Sequence, residues 1–344
     1  MKIVFLYSEV LGYTEGTFKA LVEMGSTVSV VYWDKKKLTP FQVTEKSNIS
    51  YHPRSEFTYD TLFDFLVSQN PKILFVSGWM DEGYIHAAKR YKKFNDHVKV
   101  VCGIDDQWLG TLRQYLGTVY FRFAYRKLFD FMWVSGKQQF EYARRMGYGP
   151  ENIIGNLYSA NSYVFNQKAS FTKRIVFLGR FAPVKGIFAL LDAYNRLPES
   201  IQQEWPLLLI GDGPLKAEIV NKKSDYVQII PFLQPVELFD ELKKGGVFCL
   251  PSTFEAWGVV IHEAAALGYP MVISSDCGAA TEFLIPGYNG YLFSHRKEGD
   301  LHNALLKITT LNESTLQKFS DRSYILSQKI NSETTAASLM SVLN

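Results

Sequence analysis

Cysteine, histidine and net charge are all scarce in this 344-residue sequence. The three cysteines, Cys102, Cys249 and Cys277, are odd in number and widely spaced. That pattern excludes a disulfide framework, and two of the three stand in or beside apolar runs, as reduced structural thiols do. No Cys-x-x-Cys pair and no histidine-rich tract is present, so no metal site can be read from spacing. A formal charge of +3 is too small for a nucleic-acid binder, although it permits contact with an anionic membrane surface. No apolar run is long enough to cross a bilayer. The opening M-K-I-V-F-L-Y-S-E carries too short an apolar run for an export signal and fits a first buried strand, which predicts a cytoplasmic protein.

What the sequence does have is apolar substance: 47% hydrophobic residues, with 25 Phe and 20 Tyr. That is ample for two buried cores at this length. Short apolar runs alternate with helical patterns in the first half. The runs are Lys2–Leu6, Thr27–Tyr32, Ile49–His52, Ile73–Val76, Val98–Cys102, Phe131–Val134 and Ile153–Gly155, and the patterns include 18–24, 62–68, 84–94, 109–128 and 138–146. This alternation predicts a doubly wound parallel sheet. Regularity is lost between Asn156 and Lys173, where Asn161, Ser162, Asn166, Gln167 and Lys168 suggest a linker. A second α/β series then begins at Arg174. The expected domains are 1–165, 166–327 and a terminal helical segment, 328–344, on which Ala336, Leu339, Met340 and Leu343 are expected to pack against the first domain. Two such domains in tandem imply a cleft between them.

The densest cluster of signals lies in Val247–Phe293. The apolar run 247–250 ends at Pro251-Ser252, a helical pattern starts near Trp257, and another apolar run follows, so the stretch reads as one βαβ unit. Glu255 and Gly258 fall between strand and helix, and Glu263 about two turns into the helix. Helix-start amides favour phosphate oxygens or hydroxyls, and Gly258 permits close approach to the backbone. A carboxylate repels phosphate, so Glu255 and Glu263 suit hydroxyl groups, and a ligand offering both chemistries is a nucleotide sugar. A plain helix start with a surface glutamate fits the same residues.

The stretch resembles the donor-binding core of the retaining glycosyltransferases called family 4. The match comprises Pro251-Ser252, Glu255, Gly258, Glu263, Ala264–Ala266, Gly268-Tyr269-Pro270, Met271–Ser274, Gly278-Ala279-Ala280 with Glu282, and Gly287-Tyr288-Asn289-Gly290. Gly179-Arg180 and Lys185-Gly186 look like the same family's Gly-Arg-x(4)-Lys-Gly signature, and Gly211-Asp212-Gly213 like its glycine-rich turn. The resemblance implies the GT-B fold: α/β, with two Rossmann-like doubly wound parallel-sheet domains facing a cleft. It implies that Gly179 permits close approach, that Arg180 and Lys185 bind a donor diphosphate, and that Glu263 accepts from the ribose hydroxyls. By the same resemblance Glu255, with the amides of Ala256, Trp257, Gly258 and Val259, holds the donor sugar. Gly211 and Gly213 would shape the nucleotide pocket, and Phe232 lies where relatives hold the base. The implied donor is a nucleotide sugar, UDP- or GDP-linked, bound as substrate, with no cofactor and no metal. Asp105-Asp106 is not the Asp-x-Asp metal pattern of the other large glycosyltransferase fold.

The first half matches that family by architecture more than by motif. Where relatives carry a glycine pair near the donor phosphates, the loop after the first strand has separate Gly12 and Gly16, each equally suited to a turn. After the fifth strand come Asp105, Asp106, Gln107 and Trp108. These can bind hydroxyls and stack a sugar, with Asp105 or Asp106 orienting the acceptor hydroxyl or taking its proton, or one of the two capping the helix that follows. From Leu109 to Leu128, apolar residues repeat at helical spacing among Arg113, Arg122, Arg126 and Lys127. An ordinary domain helix with a solvated charged face is the expectation there, and a basic-aromatic helix touching a membrane is the competing one.

The resemblance therefore implies a retaining, metal-independent hexosyl transfer to a saccharide or lipid-linked saccharide hydroxyl, in surface polysaccharide or glycolipid synthesis, in the cytoplasm or at the inner membrane face. An epimerase or hydrolase of sugar nucleotides on the same fold, and a non-catalytic two-lobed sugar-binding protein, stay open beside it.

Overall fold

The computed structural model describes residues 1–35, 47–161, 164 and 167–344. Ser162 and Asn166 of the expected linker, and the expected boundary at 165–166, lie outside the described residues. The chain divides into two compact units, Met1–Ser162 with Ile330–Asn344, and Tyr163–Lys329.

The first unit runs β1 (Lys2–Tyr7), α1 (Gly12–Glu23), β2 (Thr27–Tyr32), β3 (Ile49–Pro53), α2 (Tyr59–Gln69), β4 (Ile73–Val76), α3 (Glu82–Phe94), β5 (Lys99–Ile104), α4 (Leu112–Ala124), β6 (Phe131–Val134), α5 (Lys137–Arg145) and β7 (Ile153–Ile154). The seven strands among its described residues are all parallel, in the order β3-β2-β1-β4-β5-β6-β7. Continuous burial of Ile3-Val4-Phe5-Leu6 and of Ile73-Leu74-Phe75-Val76 is what a sheet covered on both faces requires.

The second unit runs β8 (Ile175–Leu178), α6 (Ile187–Asn195), α7 (Glu199–Glu204), β9 (Leu207–Ile210), α8 (Lys216–Lys222), β10 (Val227–Ile230), α9 (Pro235–Leu242), β11 (Val247–Leu250), α10 (Val259–Ala266), β12 (Met271–Ser274), α11 (Ala280–Phe283), β13 (Gly290–Phe293), α12 (Asp300–Thr309) and α13 (Glu313–Ser327). Six parallel strands follow the order β10-β9-β8-β11-β12-β13. Arg174 anchors the start of this sheet. Its guanidinium pairs with Glu241 at 2.5 Å and donates to the Gly245 carbonyl at 2.7 Å.

The last helix, α14 (Ser332–Met340), packs on α1 in the first unit. Ala336 and Leu339 are buried there with Ile3, Phe5, Phe18 and Leu21. Of the other two residues expected to pack, Met340 is half-buried but Leu343 is 40% exposed, and Val342 takes its place. A one-turn 3₁₀ helix at Ser341–Leu343 changes the angular phase after α14 and turns Val342 inward.

A second correction concerns α1, which starts at Gly12, earlier than the expected 18–24. Gly12 is therefore its first residue, and Gly16 is buried inside it, not in a loop. The Thr14 hydroxyl donates to the Leu11 carbonyl at 2.7 Å and accepts from the Leu11 amide at 3.1 Å, which closes the first turn. All three cysteines are free and buried.

Candidate functional site

In an open parallel sheet, ligands gather at the carboxyl ends of strands where the winding order reverses. In the second unit that reversal lies between β8 and β11, which are hydrogen-bonded neighbours. The loop after β8 carries Gly179, Arg180 and Lys185, and the loop after β11 carries Glu255 to Gly258. The two motifs, about seventy residues apart in sequence, thus meet at one sheet position.

Their contacts are specific. Lys185 Nζ forms an ion pair with Glu255 Oε2, and Ser252 Oγ donates to the same oxygen at 3.3 Å. The Thr253 amide donates to the Val184 carbonyl at 2.8 Å, tying the two loops through backbone. Gly186 adopts φ +65°, and a Cβ there would sit 1.9 Å from the Pro251 carbonyl oxygen. A side chain at 186 would push the lysine loop off the end of β11. Arg180 is exposed at the surface.

The glutamate loop is held from its other side by the segment after β12. Glu255 N donates to Asp276 O at 3.1 Å, Gly278 N to Glu255 O at 3.0 Å, and Ala279 N to Trp257 O at 2.8 Å. Gly258 is the left-handed N-cap of α10, with φ +91°. Its missing Cβ leaves room for the Glu255 Cγ, which would otherwise lie at 2.9 Å. Ala256 and Val259 are half-buried, and Trp257 is buried with no hydrogen-bond partner for its Nε1 among the described residues. Glu263 is half-buried on α10. His295, which no sequence pattern singled out, makes a 2.9 Å hydrogen bond through Nε2 to the Pro251 carbonyl.

Gly211 and Gly213 both sit against neighbouring backbone. Their φ values are +146° and +156°, and a Cβ would lie 2.0 Å from Gly179 O and 2.5 Å from Phe181 O respectively. These glycines let the loop after β9 pack directly on the backbone of the Arg180 loop, where Phe181 N donates to Asp212 O at 2.8 Å. Phe232, after β10, is 47% exposed. The Gly287–Gly290 turn is satisfied internally, with Asn289 buried and bonded to Ile285 N and Phe283 O, both at 2.8 Å.

In the first unit the loops after β4 and β5 enclose a cavity of about 170 Å³ lined by Ser77, Trp79, Asp105, Asp106 and Tyr158 among others. Tyr158 Oη donates to Asp105 Oδ2 at 3.2 Å, and Gln139 Nε2 to the Asp105 carbonyl at 2.8 Å. Desolvation of the carboxyl in this pocket, followed by repulsion from Asp106, pushes Asp105 above the usual carboxylate range against the opposing Tyr158 hydrogen bond. Neither aspartate caps α4. Thr111 does, accepting from Gln114 N at 3.3 Å. Trp108 is not a free stacking platform, because its ring packs against Tyr115 at 4.9 Å and under the Arg145 guanidinium at 4.7 Å. Trp79 lines the cavity instead. Gly12 opens α1 after the β1 loop, and Gly16 lies a turn further in. Tyr158 was missed because it lies within the irregular segment read as linker. Among the described residues no group of three or more His, Cys, Asp or Glu side chains could hold a metal ion.

Comparison with known proteins accords with this geometry. The sequence profile of the family described as glycosyl transferases group 1 matches residues 164–324. An uncharacterized glycosyltransferase of Methanocaldococcus jannaschii is 29% identical over 147 residues, 42% of this chain and 39% of that protein. A sulfoquinovosyl transferase of Arabidopsis thaliana is 30% identical over 142 residues, covering 40% of this chain and 26% of the relative. A phosphatidyl-myo-inositol mannosyltransferase of Mycobacterium leprae is 31% identical over 141 residues, 40% of this chain and 37% of that protein. The match thus spans about two fifths or less of each of these relatives.

Among solved structures, a sucrose-phosphate synthase from Thermosynechococcus elongatus superposes with TM-score 0.74 at 16% identity, over 100% of this chain and 98% of that one. Anabaena HepE in complex with UDP-glucose gives TM-score 0.71 at 15% identity, over 100% and 99%. With two Rossmann-like parallel-sheet units the chain has the GT-B fold, and its residues 164–324 are similar to the glycosyl transferases group 1 family.

Proposed function

We propose that the protein is a retaining, metal-independent glycosyltransferase that moves a hexosyl group from a UDP- or GDP-sugar to a hydroxyl acceptor. The observation that carries this reading is the meeting of Lys185 and Glu255 at the β8/β11 strand ends, beside the N-terminus of α10. UDP-glucose in the fold relative from Anabaena supports a nucleotide-sugar donor. Arg180 and Lys185 neutralise the donor diphosphate and the charge that grows as the nucleotide leaves, a task that other transferases give to a metal ion. Glu263 accepts from the ribose hydroxyls. Glu255, with the amides from Ala256 to Val259, holds the donor sugar.

On the acceptor side, Asp105 lines the first-unit cavity with its pKa raised above the usual carboxylate range, and Tyr158 donates a hydrogen bond to its carboxyl. The relative named as a phosphatidyl-myo-inositol mannosyltransferase supports a lipid-linked acceptor, and we take the acceptor to be a saccharide or lipid-linked saccharide at the inner face of a membrane.

A thermal-shift panel of uridine, guanosine, thymidine and adenosine diphosphates tests the donor. Each tenfold in concentration above the dissociation constant adds about 1.4 kcal/mol of stability. Binding of none of the four would overturn the reading. Undiminished turnover in a chelator supports independence from metal. Turnover of the responding nucleotide's sugars that runs equally fast without any acceptor would favour an epimerase or hydrolase.

A further inference from the structure

The structure separates two kinds of apolar residue on α4. Only Thr118 and Phe121 are buried, and the Phe121 ring packs on Trp79 at 4.9 Å. Leu112, Leu116, Val119 and Phe123, spaced at i, i+4, i+7 and i+11, are 74%, 63%, 53% and 88% exposed in the full chain. Leu109, Tyr115 and Tyr120 widen this stripe, each at least half exposed. Arg113, Arg122 and Lys127 are exposed, as expected for a solvated charged face, but the outward side also carries this apolar stripe, which an ordinary domain helix would bury. Isolated exposed leucines need no explanation, but a continuous stripe of this size marks a contact surface.

We propose that this face of α4 docks the protein on an anionic lipid bilayer. Charge selects that occupant. Between Asp106 and Asp130 there is no acidic residue, while Arg113, Arg122, Arg126 and Lys127 are all present. Two of these cations are fixed at one flank, where Arg122 Nη2 donates to the Arg145 carbonyl at 2.7 Å and Arg126 Nε to the Gly147 carbonyl at 3.0 Å. They stand where lipid headgroups would lie when the leucines and Phe123 reach the acyl boundary. A second copy docked α4 to α4 would set these cations against each other.

Thirteen residues make a helix of about 20 Å, too short to span a hydrocarbon core of about 30 Å, so α4 lies in the interface plane. Docking itself is independent of the transferase reading. Taken with that reading, it brings the Asp105–Asp106 loop, immediately before α4, close to a lipid-linked acceptor.

Co-sedimentation of the full chain with extruded phosphatidylglycerol–phosphatidylcholine vesicles, and with phosphatidylcholine vesicles alone, tests the docking. The expected result is binding to the anionic vesicles that weakens with added salt. Arg113→Gln and Lys127→Gln should each lower the partition coefficient by about fivefold. The double variant Leu116→Ser/Phe123→Ser should lower it by more than about tenfold while keeping the wild-type circular dichroism spectrum. Absence of binding to anionic vesicles, or unchanged binding by the double serine variant, overturns the proposal. So does a dimer in sedimentation velocity that the serine variant dissolves, since the face would then belong to a second copy. Nucleotide binding in the thermal-shift panel is read separately, so either result can fail alone.

Discussion

Lys185 and Glu255 form an ion pair linking the loops that leave two neighbouring parallel strands, β8 and β11. Their side chains are only 22% and 19% exposed, so the pair is screened less than a surface one. In the proposed reaction the lysine faces the diphosphate and the glutamate the sugar, and each holds the other in position. Lys185→Ala should therefore lower transfer by at least about a hundredfold while leaving the circular dichroism spectrum of the folded protein unchanged. Glu255→Gln should lower it too, with the double variant losing less than the two single losses combined. Nucleotide release in a coupled assay measures all three. Wild-type turnover in Lys185→Ala would remove that residue from the chemistry.

Asp105 yields a pH prediction. Its pKa is raised in the folded protein, first by desolvation and then by Asp106, so the folded state binds a proton more tightly than the unfolded chain. The favourable contribution is complete below the unfolded carboxylate range and is lost as pH rises through the higher folded value. At neutral pH the raised pKa thus costs the folded state stability relative to acid. Asp105→Asn should melt higher than wild type at neutral pH, with the difference shrinking as the solution is acidified, and its transfer rate should fall. A variant that melts lower at neutral pH would contradict this account.

Glu241 titrates in the opposite sense. Desolvation pushes it up, but hydrogen bonds from Lys244 and Arg174 outweigh that and leave it below the usual carboxylate range. Its contribution is present above the unfolded pKa and is lost as pH falls through the folded one. Arg174 and Glu241 are 10% and 14% exposed, so Glu241→Gln strands a largely buried guanidinium. The expected loss is about 3 kcal/mol in urea unfolding at neutral pH, narrowing in acid.

Gly211→Ala and Gly287→Ala form a matched pair. Both positions have positive φ, but an alanine at 211 meets the Gly179 carbonyl at 2.0 Å, whereas 287 opens to empty space. The first should cost several kcal/mol and weaken nucleotide binding by displacing the Arg180 loop. The second should cost about 1–2 kcal/mol and leave binding unchanged. Equal losses would show that packing between the β8 and β9 loops is unimportant.

The strands were legible because each is a short apolar run that a doubly covered sheet must bury, as in Leu207–Ile210 and Val247–Leu250. That Arg180, Lys185 and Glu255 follow strand ends was legible from chain order, while the roles proposed for them came from the family resemblance. Tyr158 was not legible, since its bond to Asp105 joins residues 53 apart and leaves no local pattern. The start of α1 was obscured by Gly12, Thr14, Gly16 and Thr17, poor helix formers that become tolerable once Thr14 closes the first turn and the helix is buried. For α4 the periodicity was plain and its meaning was not. The same 3.6-residue repeat serves a core, a partner or a lipid surface, and only the packing around Phe121 shows which side faces the protein.

The docking of α14 on α1 makes the first unit discontinuous, with the whole of Tyr163–Lys329 intervening between its two parts. During synthesis the first sheet emerges early, but the helix that covers Phe5, Phe18 and Leu21 emerges only after the second unit has been translated. The second unit can close its own core in that interval, while the first waits with an uncovered apolar face. Completion of the first unit is thus timed by the arrival of a short helix, and Ala336 and Leu339 act as the latch.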